Sequence, residues 1–193
     1  MAYPMDLQYL NWKVYLDNPA EAEPHDWFKV WNGWIPDSPE VFVDVADYAH
    51  VQDGPVVILV GHYLNLSLDH TGRRLGLLYD YKHPMDGGNE EKLKSSLLGL
   101  LRAAKRLEDE AGFGKKPRFN AGELRFIVNS RAIAPNSAET LASVGPELSK
   151  VLARAYGEGA FTLEHLSDPR QRFMVQVKAK TSPSLADLIQ RLA

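Results

Sequence analysis

The sequence predicts an α+β sandwich, ferredoxin-like, with a mostly antiparallel sheet. Three observations lead there. Stretches with two-residue alternation of apolar and polar side chains recur along the chain, several joined by turns too short for a crossover. Other segments carry apolar residues at helical spacing, bounded by capping residues, Gly or Pro. Helices that follow paired antiparallel strands tend to cover one face of the sheet they make. The length of 193 residues suits one compact unit over 1–193, or two pseudo-repeated halves, 1–115 and 116–193.

The elements follow in order. WKVYL, residues 12–16, alternates and reads as a short strand. HDWFKVWNGWIPD, from residue 25, sets Trp27, Trp31 and Trp34 at i, i+4 and i+7, so a short helix carries three indoles on one face, weakened at Gly33 and ended by Pro36. EVFVDVADYAHV, residues 40–51, alternates as a strand, and Asp53-Gly54-Pro55 turns the chain. Val56 to Asp69 reads as one long strand, His70-Thr71-Gly72-Arg73 as the close of a hairpin, and Leu75 to Tyr81 as its return.

Asn89 is the expected N-cap of a helix with Glu90 and Glu91 in its first turn. Its apolar stripe is Leu93, Leu97, Leu100, Leu101 and Ala104, and it should end near Gly112. ELRFIVN, residues 123–129, is a strand. Asn136 with Glu139 opens another helix that Gly145-Pro146 must kink or split. Phe161 to His165 and Phe173 to Lys180 form a hairpin pair, and Ser182 with Pro183 starts a last helix along Leu185, Leu188, Ile189 and Leu192. The expected order is βαβββα followed by βαββα, a duplicated ferredoxin-like pattern at the level of elements.

Composition excludes several function classes. There is no cysteine, which removes disulfides, thiol catalysis and Cys-based metal sites. No leader is expected in MAYPMDLQYLNW, and the longest aliphatic run, Val56 to Val60, is far too short to span a bilayer. The protein is expected in the cytoplasm, with no membrane partner. The net charge of −3 hides an asymmetry: residues 1–53 hold ten acids and two bases, the remainder fifteen acids and twenty bases. That pattern suits pairing within the fold or across a homodimer contact, and it lacks the clustered positive field of a nucleic-acid binder.

Four of the six histidines, His50, His62, His70 and His83, fall between residues 50 and 83. None forms the local pair that zinc sites use, so no metal is expected and no cofactor is implied. A pair across a hairpin is more reasonable: His62 or Asn65 near Tyr81 to His83, and Asp69 near Arg73 or Arg74. General-base chemistry needs only one oriented histidine. The candidates are His62, His50 and Asp80 as catalytic groups, with Asp44, Asp47 or Tyr79 as orienting partners. Tyr48, Tyr79, His83 and Trp31 are candidates for ligand contact.

Nucleophile elbows and phosphate loops are absent. Asp86-Gly87-Gly88-Asn89 reads as a turn and cap. Arg102, Lys105, Arg106, Lys115, Lys116 and Arg118 are interrupted by Glu108, Asp109 and Glu110 and read as a solvated helix end.

DVADYAHVQDGP, LDHTGRRLGLLYDYKHPMDG and IAPNSAET together resemble a group of uncharacterised bacterial proteins of similar length. The resemblance runs over most of the chain and implies no activity, cofactor or site residue. The functional expectation is therefore a non-catalytic binding or assembly protein that self-associates as a homodimer, with a small-molecule ligand as a second partner class. The alternative is a small-molecule enzyme using a histidine general base.

Overall fold

A computed structural model describes residues 5–193. Met1 to Pro4, part of the stretch read for a leader, lie outside the described residues. The chain forms twelve main elements: β1 (Leu10–Leu16), α1 (Pro24–Asp37), β2 (Phe42–Asp47), β3 (Pro55–Gly61), β4 (Leu64–Asp69), β5 (Gly76–Tyr81), α2 (Asn89–Asp109), β6 (Phe119–Val128), α3 (Ala138–Tyr156), β7 (Phe161–His165), β8 (Phe173–Ala179) and α4 (Leu185–Leu192). All eight strands join one antiparallel sheet in the order β2-β3-β4-β5-β1-β6-β8-β7. The α+β class holds, and the strand order is not the simple ferredoxin pattern. Among the described residues no helix is long and apolar enough to cross a membrane.

The first half carries one strand more than expected, because Val56 to Asp69 is not continuous. It turns at His62-Tyr63 and pairs with itself, Val60 opposite Asn65 and Leu59 opposite Leu66. Gly61 permits the turn, since a Cβ there would run into the Leu64 carbonyl oxygen and the Phe42 ring. The helix caps also shift. Gly88, not Asn89, caps α2, and Asn89 instead ties down the N-terminal segment through Leu7 N and Met5 O. Ser184, not Ser182, caps α4, in a capping box with Asp187. Pro146 lies inside an unsplit α3, two residues from each of the interior positions Val144 and Leu148.

The four helices pack on one face of the sheet. That face collects Leu10, Trp12, Val14, Leu59, Leu66, Leu68, Leu77, Phe126, Phe173 and Val175, all buried. Trp12 fixes α2 to the sheet: its ring meets Phe126 at 4.8 Å and its Nε1 donates to Ser96 at 2.9 Å. Trp27, Trp31 and Trp34 point inward from α1 and are at most 3% exposed. Truncating one such indole to Ala costs roughly 3–5 kcal/mol. These three indoles are core within the chain, so a homodimer cannot use them as contact surface.

Among the described residues no α-helix covers the opposite face, yet it is not simply wet. Asn11, Lys13 and Tyr15 of β1 lie on it and are buried. The β4–β5 connection laps over them: Lys13 Nζ pairs with Asp69 Oδ1 at 2.5 Å and donates to Thr71 O at 3.3 Å. The Arg74 guanidinium lies 3.8 Å from the centre of the Tyr15 ring and forks onto Glu123 with two 2.7 Å bonds. Asp69 thus serves Lys13 and Thr71 rather than an arginine, and Arg74 goes to Glu123.

Candidate functional site

The sequence candidates separate onto two faces and two ends of the sheet. His62 sits in the β3–β4 turn and His50 in the β2–β3 turn, at opposite ends of β3. A seven-residue strand separates those turns by about 20 Å. His50 is exposed, 6.1 Å from Tyr48 between ring centres. The nearby carboxylates do not orient it: Asp44 accepts from Val45 N and Asp47 from Ala49 N, each at 2.8 Å.

His62 does meet His83 across the hairpin, as its spacing suggested. Their rings lie 5.2 Å apart, Tyr63 stacks edge-on at 4.5 Å from His62, and His83 Nε2 lies 3.1 Å from the His62 carbonyl oxygen. This trio is on the surface, and no carboxylate completes it: among the described residues no three of His, Asp and Glu gather as a metal-holding group.

Tyr79 and Asp80 are consecutive in β5 and therefore point to opposite faces. Asp80 lies on the helix-free face beside Asn11 and Asn65 in register. Burial pushes its carboxyl pKa up, with the Asn11 amide as the strongest opposing influence. Asp80 Oδ1 and Asn11 Oδ1 are both buried without a hydrogen-bond partner among the described residues. Trp31 is fully buried and its Nε1 is likewise unpaired.

Tyr79 faces the helices and, alone of the candidate site residues, lines a defined cavity there. A cavity of about 320 Å³ lies between α1, α2 and the sheet. Phe42, Leu64, Leu66 and Tyr79 form the sheet side, Trp34 and the Ser38-Pro39-Glu40 turn one wall, and Gly99, Arg102, Ala103 and Arg106 of α2 the other. Each group has a local reason to be there. Positions 99, 102, 103 and 106 share one helical face. Gly99 and Ala103 leave room where larger residues would fill it. At Gly99 a Cβ would stand 2.7 Å from Tyr79 Cε2, Cζ and the hydroxyl oxygen, so the glycine is what lets the phenol pass under the helix.

The polar groups of the cavity are incompletely paired. Buried Tyr15 donates to Gln176 and buried Tyr156 to the Ala121 carbonyl. Tyr79, 7% exposed, makes no such bond among the described residues, and burial pushes its pKa far up, so it stays a neutral O–H donor. Arg106 stacks on Trp34 at 3.9 Å and gives one N–H to Ser38 Oγ at 3.3 Å. The acid one helical turn on, Glu110, is engaged with Trp34 Nε1 and Ala111 N. Neither Arg102 nor Arg106 forms an ion pair with a carboxylate among the described residues.

Sequence reasoning placed Arg102 and Arg106 in a solvated helix end. Their neighbour Lys105 fits that reading, pairing with Asp109 on the outer side of α2, and Arg102 is exposed as it requires, while both arginines also border the cavity. The available signal for the other two was the i, i+4 pair of small residues, Gly99 and Ala103, on the same face. The Asp86–Asn89 turn, in contrast, already has its anion: the Glu91 carboxylate accepts from Gly88 N at 3.1 Å. Comparison with known proteins finds no family model that matches the chain and no curated protein that matches it.

Proposed function

We propose that the protein is a non-catalytic binding protein whose ligand site is the cavity between α1, α2 and the sheet. The observation that carries this reading is the cavity itself. It is mostly apolar, of a size at the lower end of small-molecule sites, and bordered by a few unpaired polar groups. The general-base alternative has less support, because His62 and His50 stand at exposed turns outside this space and about 20 Å from each other. The reading keeps the protein in the cytoplasm. It also treats the two halves as copies of a strand–helix–meander–helix unit, of which the larger carries the cavity.

Small apolar solutes such as indole test the site. Indole is expected to raise the melting temperature saturably and to perturb Trp34. Ala103→Phe, which fills the helix wall, should abolish the effect, and His62→Asn with His50→Asn should leave it unchanged. Binding that survives Ala103→Phe, or disappears with the histidines, refutes the proposal.

A further inference from the structure

Resting on the reading of the cavity as a ligand site, we infer that its ligand is a small amphipathic anion: an apolar, preferably flat body of about ten non-hydrogen atoms carrying one carboxylate or phosphate. The size follows from the volume. A cavity of about 320 Å³ equals roughly ten water volumes at about 30 Å³ each. The body follows from the lining, where Phe42, Leu66 and the Trp34 indole offer carbon and ring faces.

The head group follows from what is left unpaired. Arg102 and Arg106 both border the cavity one helical turn apart, and Glu40 is the only acid among the described residues that line it, so the lining carries net positive charge. Arg106 is the better defined of the two. Stacking on Trp34 fixes its plane, Ser38 takes one of its N–H groups, and several donors of the guanidinium remain unassigned. A planar guanidinium held by stacking is prepared for two parallel bonds to a carboxylate or phosphate. The neutral Tyr79 hydroxyl, nine-tenths buried with no internal acceptor, supplies a further donor. Three sets of donors and one exposed acid favour an anion over an amine of the same shape.

The test uses three isosteric probes with the full chain: 3-phenylpropionate, 3-phenylpropanol and 3-phenylpropylamine, titrated calorimetrically. The acid is expected to bind best, ahead of the alcohol by roughly ten- to a hundred-fold, the yield of one or two charge-assisted hydrogen bonds. Arg102→Gln with Arg106→Gln should remove that preference while the alcohol binds as before. Lys105→Gln, on the outer side of α2, should leave the preference intact. Melting temperatures of the variants control for folding. Tyr79→Phe should weaken all three probes without changing their order by charge.

If the alcohol or the amine binds as tightly as the acid with both arginines present, the inference falls and the cavity reading stands. If none of the three binds at millimolar concentration and indole also fails, both fall. A preference for the acid that survives the double arginine substitution overturns the inference as well, because the anion is then recognised elsewhere. Comparing 3-phenylpropionate with phenyl phosphate separates a carboxylate site from a phosphate site.

Discussion

Replacing Gly99 with alanine should destabilise the protein, against the usual rule for a glycine inside a helix. On propensity alone, Gly→Ala in a helix interior gains about 0.5–1 kcal/mol. Gly33 in α1 shows that case: it is exposed, and a Cβ there meets nothing within 4 Å. At Gly99 the new methyl lies 2.7 Å from three atoms of Tyr79. Carbon contacts are comfortable from about 3.5 Å, so the ring must retreat by roughly 0.8 Å. Its backbone cannot follow, since β5 is held between β4 and β1, with Tyr79 opposite Leu66 and Trp12. Overpacking of this kind costs about 1–3 kcal/mol, and the propensity gain offsets only part of it. We expect Gly99→Ala to lose about 1–2 kcal/mol and Gly33→Ala to gain about 0.5–1 kcal/mol in urea unfolding at unchanged m-value. The direction open to the ring is the cavity, so Gly99→Ala should also weaken probe binding. A Gly99→Ala variant as stable as Gly33→Ala would refute the placement of the Tyr79 ring beneath α2.

Three further outcomes can be measured. Asp69→Asn should cost about 3–5 kcal/mol, because it strands the buried Lys13 ammonium, whereas Lys13→Met combined with Asp69→Leu should recover most of that loss in the same urea assay. Burial raises the Asp80 pKa, so the folded state holds its proton more readily than the unfolded chain. Its contribution to stability therefore grows as pH falls through the folded pKa toward the unfolded value of about 3.9, and Asp80→Asn should be at least as stable at neutral pH while losing that acid-side gain. An expected homodimer would be left with the helix-free sheet face and the β2 edge, where Val41 and Val43 are 56% and 61% exposed. Sedimentation equilibrium at low and high salt should show a dimer that resists salt if those valines carry it, and Val43→Asp should dissociate it; a monomer at tens of micromolar under both conditions removes the assembly expectation.

Helical spacing made the inward faces legible because a helix repeats its environment every few residues. Leu93, Leu97, Leu100, Leu101 and Ala104 are all fully buried, and the tryptophan stripe of α1 lies in the core as one face. The hairpin at His62-Tyr63 escaped because those residues carry no turn signature. The alternation did hold a trace of it: inward positions are odd at Val57 and Leu59 and even at Leu64, Leu66 and Leu68, and such a phase slip cannot occur in one continuous strand. The cavity was the least legible feature. Its walls come from residues near 34, 42, 65, 79 and 99–106, brought together by tertiary packing that no local pattern encodes. The histidines attracted attention as residue types, but their turns hold them on the outside.

The buried polar row on the helix-free face bears on why this sheet adopts a single register. β1 is central, and it alternates Leu10, Trp12, Val14 and Leu16 toward the helices with Asn11, Lys13 and Tyr15 toward the other side. Slipping β1 by one residue against β5 would exchange the two sets. Lys13 would then enter the layer of Trp12 and Phe126, where no carboxylate awaits it, at a cost of several kcal/mol for an unpaired buried charge. Lys13 and Asp69 are 56 residues apart, on strands separated by β5, so their bond checks two pairings at once, β1 with β5 and β5 with β4. Tyr15 with Gln176, 161 residues apart, makes the corresponding check across β6 to β8. Tyr79 stands in the strand between Lys13 and Asp69. The same register that pairs those charges on one face sets the phenol beneath Gly99 on the other, so the charge pair on the helix-free side fixes the geometry of the cavity.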